Sequence, residues 1–183
     1  MGVHIPVSYS GQSESARGPL LLVMWENFTD AILTGREELG YAKVFADLPQ
    51  PTMRDGGRSY TASWWGHQFF SMDIDELIPA PTPTPRPAAI DGVLHYRYFP
   101  AVNDTESADV SQVTITPPDA TPTIESYHRG TGSARFIPSS WEQMPTQHQI
   151  VNALAALPVI EPRGATLALL RGAKDLSDVR VLS

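Results

Sequence analysis

Gly35-Arg36-Glu37-Glu38-Leu39-Gly40-Tyr41-Ala42-Lys43-Val44-Phe45-Ala46-Asp47 holds the end of one helix and the start of one strand. Upstream, Ile32, Leu33 and Leu39 fall near one helical face. Thr29 or Asp30 can cap the start, and Gly40 stands where a left-handed C-terminal cap would close the helix. Gly35 inside this helix costs about 1 kcal/mol against alanine. Downstream, residues 41 to 48 read as a strand, with Tyr41, Lys43 and Phe45 on one face and Ala42, Val44 and Ala46 on the other. The chain has 13 basic residues, of which only Lys43 and Lys174 are lysines. An ammonium among apolar neighbours pays a desolvation cost, and the neutral amine it yields attacks carbonyls. The competing reading is a strand-edge lysine whose stem covers apolar surface while its head reaches water.

Outward from this stretch the pattern is strand, turn, strand. Apolar or alternating runs at 3 to 9, 19 to 25, 58 to 72, 92 to 99, 108 to 116, 123 to 136 and 164 to 171 are separated by Gly, Pro, Asp and Asn. This predicts a mainly β (α+β) fold, an antiparallel barrel-like sheet with two or three short helices. Both sets of alternating residues in 93 to 99 are bulky, so that strand is expected to be covered on each face. A second helix is expected where Thr146 and Gln149 form a capping-box pattern, with Ile150, Val151, Leu154 and Leu157 at helical spacing and Pro158 as its end. This helix is expected to plug or cover the barrel. Pro79 to Pro87 alternates proline with other residues and reads as a polyproline-like loop spanning 79 to 89.

At 183 residues, with 42% hydrophobic and 18% charged side chains, one globular domain spanning 1–183 is expected. A net charge of -7 with scattered arginines argues against a nucleic-acid partner. The absence of cysteine excludes thiol chemistry. No apolar run approaches the roughly 18 residues of a membrane helix, and no signal-peptide pattern opens the sequence, so a cytoplasmic protein without membrane partner is expected. The five histidines lack the close spacing of a helical metal pair, and no nucleophile elbow or phosphate loop occurs. No metal site is expected. Trp64, Trp65, Phe69 and Phe70 read by default as core, with the lining of a large pocket as the alternative. Arg97 reads either as a bidentate carboxylate receiver or as a guanidinium stacked on Tyr96 or Tyr98.

Ile5-Pro6-Val7-Ser8-Tyr9, then Ala31-Ile32-Leu33-Thr34-Gly35-Arg36-Glu37, then Tyr41-Ala42-Lys43 resemble the acetoacetate decarboxylase family in order and spacing. More loosely, His128 to Gly132, Ile150, Leu154 and Thr166 to Leu170 look like its C-terminal part. The resemblance implies the family's fold and makes Lys43 the Schiff-base lysine of a cofactor-independent lyase acting on a small keto acid. That mechanism, a lysine amine activated by its surroundings, is a property of the family and comes with the resemblance. By the same resemblance Arg36 and Glu37 anchor the lysine's strand or touch substrate, while Tyr41 and Phe45, which share the lysine's strand face, and Arg97 are the other candidate pocket residues. The sequence departs from the family at Ala42, where the family has proline, and at Val44, where its best known members carry a second lysine. The family's N-terminal segment, with its "ESGQ" acid, would precede Ile5, so a shortened member is expected. β-Keto acid decarboxylation leads the expectations. Aldol condensation or dehydration by the same lysine, and a non-catalytic binding or assembly role, remain open. A homo-oligomer is expected, because missing strands would leave sheet edges uncovered.

Overall fold

The computed structural model describes residues 1–83, 90–118, 123–172 and 176–183. Among them, in chain order, run β1 (Gly2–Ser10), β2 (Ser15–Glu26), helix α1 (Thr29–Thr34), a π-helical turn (Gly35–Leu39), β3 (Lys43–Phe45), β4 (Thr52–Arg54), β5 (Gly57–Trp64), β6 (His67–Pro79), β7 (Val93–Ala101), β8 (Asp104–Thr116), β9 (Thr123–Phe136), helix α2 (His148–Ala155), β10 (Ala165–Arg171) and β11 (Arg180–Val181). The mainly β expectation holds. The strands form two open sheets, and neither path closes on itself among the described residues. The described contacts fall into two compact units, one within 1–45, 84–122 and 173–183, the other within 46–83 and 123–172.

The first unit holds a sheet in the order β1-β2-β7-β8-β11, with β3 also paired to β2. The β1 and β2 hairpin is antiparallel, whereas β2 pairs in parallel with both β3 and β7. Ala16, Leu94, Ile115 and Leu182 form its buried cluster, flanked by Val7, Tyr9, Leu20 and Val113. Full burial of a leucine such as Leu94 contributes about 2 kcal/mol. On the opposite face of β7, His95 is also buried. Farther along, Tyr96 and Tyr98 stack on each other and stay 52% and 41% exposed, so the expected cover on both faces is absent there.

The helix before Lys43 departs from the expected form. Its N-cap is Phe28, without a side-chain capping bond, so Thr29 and Asp30 both lie inside the first turn, where Asp30 meets the positive end of the helix. At Gly35 the winding loosens from α to π, and Gly40 ends it at φ 83°, the left-handed cap read from the sequence. The strand expected over 41 to 48 shrinks to three residues, because β3 pairs only along Met24 to Glu26.

The second unit holds the sheet β10-β9-β6-β5-β4. The run expected at 58 to 72 is two strands, split by Trp65 and Gly66 at φ 50° and 84°. Two consecutive positive φ angles give the tight hairpin turn whose twist matches its strands. Trp65 is therefore 83% exposed at the turn, while Phe69 and Phe70 are buried as core. Helix α2 starts after Gln147 with no side-chain cap bond, so the expected Thr146 and Gln149 capping box does not form. Val151 is its buried residue, and Leu157, beyond its end, is 62% exposed. Pro79 closes β6, residues 80–83 carry no regular structure, and residues 84–89 of the expected proline loop lie outside the described residues.

Candidate active site

Parallel pairing of β2 with β3 sets Met24 opposite Lys43 and Glu26 opposite Phe45. Side chains two apart on a strand share a face, so Met24 and Glu26 both flank the lysine. Lys43 is buried, 9% exposed, and its Nζ lies 3.3 Å from Glu26 Oε1. The ammonium also stands over the Tyr41 ring, 5.5 Å from its centroid. The apolar surroundings expected from the sequence thus include a carboxylate, and such a contact offsets the desolvation of the ammonium.

The π-helical turn leaves room for the lysine stem. A Cβ on Gly35 would stand 2.6 Å from Lys43 Cδ and 2.9 Å from Cε, distances no packed atom tolerates. Arg36 Nη1 donates to the Lys43 carbonyl oxygen at 3.0 Å. Arg97 Nε donates to the Glu37 carbonyl at 2.8 Å, Nη2 donates to the same oxygen, and Nη1 reaches Gln112 at 3.3 Å. Its guanidinium lies over Phe99, 5.2 Å from the ring centroid, so Tyr96 and Tyr98 are not its stacking partners. Thr114 Oγ1 donates to Leu39 O at 2.7 Å. The carbonyls that a helix end leaves unpaired are thereby satisfied. Arg36 and Arg97 hold main chain, and Glu37 takes part through its main-chain oxygen. Phe45, at the end of β3, is 37% exposed.

Behind Tyr41 lies a buried polar chain. The Tyr41 ring stacks on His95 with centroids 3.8 Å apart and planes 22° apart. Tyr41 Oη and Thr116 Oγ1 are 2.7 Å apart, and His95 Nε2 lies 3.0 Å from the same Thr116 oxygen. His95 is 1% exposed, and its Nδ1 has no hydrogen-bond partner. Burial, aided by nearby His4, lowers its pKa to about 4, so the imidazole is neutral near pH 7. Sequence reasoning brings Tyr41 and Lys43 together but misses Glu26, His95 and Thr116. A carboxylate closing the apolar run of 19 to 25 is the one hint of Glu26, and its partner is invisible without the parallel pairing.

Among the described residues no three His, Asp or Glu side chains are placed to hold a metal ion, and no helix is long and apolar enough to cross a membrane. The family model for acetoacetate decarboxylase matches residues 1–165. No curated protein matches the chain. Similar folds occur in a structure from structural studies of acetoacetate decarboxylase (15% identity, TM-score 0.65, covering 98% of this chain and 66% of that one). They also occur in the acetoacetate decarboxylase of Legionella pneumophila (17%, 0.59, 78% and 56%) and in the enduracididine biosynthesis enzyme MppR complexed with pyruvate (14%, 0.57, 98% and 65%). The chain thus spans less than two thirds of the length of each of these proteins. With the family model matching nearly its whole length, the chain belongs to the acetoacetate decarboxylase family.

Proposed function

We propose that this chain is a lyase that forms a Schiff base between Lys43 and a keto acid, with decarboxylation of a β-keto acid as its reaction. The observation that carries the reading is a buried lysine held 3.3 Å from a carboxylate in a chain of this family. Glu26 takes a proton from the ammonium, the neutral amine adds to the ketone carbon, and loss of water gives an iminium. The carbon–carboxylate bond then breaks, its electron pair flows into the iminium, carbon dioxide leaves, and the enamine is protonated and hydrolysed. A second reading, aldol condensation or dehydration on the same imine, draws on the fold shared with MppR, whose structure holds pyruvate.

Borohydride reduction with acetoacetate or pyruvate, followed by peptide mass spectrometry, tests the site. A substrate-dependent mass is expected on Lys43 and absent from Lys43→Ala. Glu26→Gln is expected to slow trapping by about tenfold or more, since a proton acceptor is lost while the shape is kept. Carbon dioxide release separates decarboxylation from an adduct that condenses with an added aldehyde. A folded chain without any adduct leaves the binding or assembly role as the surviving reading. The reading includes a cytoplasmic homo-oligomer.

A further inference from the structure

We propose that His95 is a positioning residue which, through Thr116, turns the phenolic proton of Tyr41 toward the keto acid bound at Lys43. The inference rests on the imine chemistry assigned to Lys43 above.

His95, Thr116 and Tyr41 have few protons to share in a closed space, and their two hydrogen bonds are centred on Thr116 Oγ1. A neutral imidazole has one N–H. A proton on Nδ1 would be a buried donor without an acceptor, because that atom has no partner. Orphaned buried N–H groups are rarer than unfilled lone pairs, so the proton belongs on Nε2. Nε2–H then donates to Thr116 Oγ1. The threonine has one proton of its own, and its remaining contact is Tyr41 Oη at 2.7 Å. If Thr116 accepted from both neighbours, its own proton would be stranded in a residue only 7% exposed. Thr116 therefore donates to Tyr41, and the Tyr41 O–H is left free.

A free phenolic proton on the ring over which the amine stands, 5.5 Å from its centroid, has a use in the step that makes the iminium. The carbinolamine must lose hydroxide, a poor leaving group without a proton. Tyr41 gives its proton to that oxygen, the C–O bond breaks, water departs, and the nitrogen lone pair forms the C=N bond. The phenolate accepts the hydrogen bond already supplied by Thr116. It regains its proton from the water that later adds to the iminium, so the cycle balances. The opposite tautomer would bind the Tyr41 proton to Thr116 and leave this oxygen without its acid. The chain acts only if His95 stays uncharged, since an imidazolium would place a buried cation behind Tyr41, near His4.

Two measurements test this. A long-range 1H–15N spectrum of the natural chain at pH 7 is expected to show His95 as the Nε2–H tautomer, and an Nδ1–H tautomer overturns the proposal whether or not any adduct forms. Borohydride trapping with acetoacetate is then compared across variants whose melting curves remain cooperative. Tyr41→Phe and Thr116→Val are each expected to slow adduct formation by about a hundredfold with little change in KM. The double variant is expected to be no slower than Tyr41→Phe alone, while Thr116→Ser and His95→Gln, which keep the donors, recover most of the rate. Natural rates in Thr116→Val, or additive losses in the double variant, overturn the proposal. Absence of adduct in the natural chain refutes the imine reading instead and leaves the tautomer measurement to decide the hydrogen-bond direction.

Discussion

Lys43 is confined by contacts of different kinds: the Glu26 carboxylate at 3.3 Å, the Tyr41 ring at 5.5 Å, and the bare Cα of Gly35 beside its stem. The last of these yields a prediction at the scale of one methyl group. In Gly35→Ala the new Cβ would stand 2.6 Å from Lys43 Cδ and 3.2 Å from its Nζ, so the lysine stem must move aside and carry the amine with it. Misplacement of about 1 Å is enough to cost around a hundredfold in rate. Gly35→Ala is therefore expected to lose adduct formation by about that factor while circular dichroism and the thermal transition stay close to those of the natural chain. Retention of full trapping in a folded Gly35→Ala would show that the stem has another path. Of these contacts, Tyr41 was legible because it lies two residues from Lys43, whereas Glu26 depended on which strand pairs with β3.

At the scale of elements, the segment from Thr29 to Phe45 does what its sequence suggests but by different local means. Gly40 was legible as a terminator, since only a residue without Cβ adopts φ 83° cheaply, and a Cβ there would stand 2.7 Å from Arg97 Cβ. The π winding was not legible, because it arises where Arg97 and Thr114, from β7 and β8, capture the carbonyls of Glu37 and Leu39. The same dependence on partners explains the strands. Long alternating runs such as β1 and β9 declared themselves by period. β4 and β11, with three and two residues, are too short to show one. The Trp65-Gly66 turn hid inside a run of aromatics, where tryptophan at φ 50° is an unusual turn residue.

For the whole molecule, the buried polar chain couples stability to pH. His95 takes a proton near pH 6.5 when unfolded and only near pH 4 when folded, so between these values the unfolded state binds more protons. Stability is expected to be untouched by His95 above about pH 6.5, to fall as pH drops from there to about 4, and to lose nothing further from this group below that. Glu14, Asp104 and Glu142, held below the usual carboxylate range chiefly by hydrogen bonds from Ser183, Ser107 and Ser140, add their own losses as pH falls to and below the ordinary carboxylate value. Urea midpoints at pH 7, 6 and 5 are expected to decline in the natural chain and to flatten in His95→Leu; an equal decline in both would remove His95 from the account. Self-association is a separate expectation, suggested by the exposed Leu169 and Leu170 on the edge strand β10. Light scattering that finds only monomer across concentrations would end it. Composition, period and backbone freedom suffice to establish the mainly β character, the family motifs, the glycine that ends the helix and the one lysine worth testing, because each of these is a local property of the chain. The meeting of Glu26 with Lys43, the service of Arg97 to the main chain, and the hydrogen-bonded chain of His95, Thr116 and Tyr41 emerge only on folding, because each requires strands far apart in sequence to pair in a particular register.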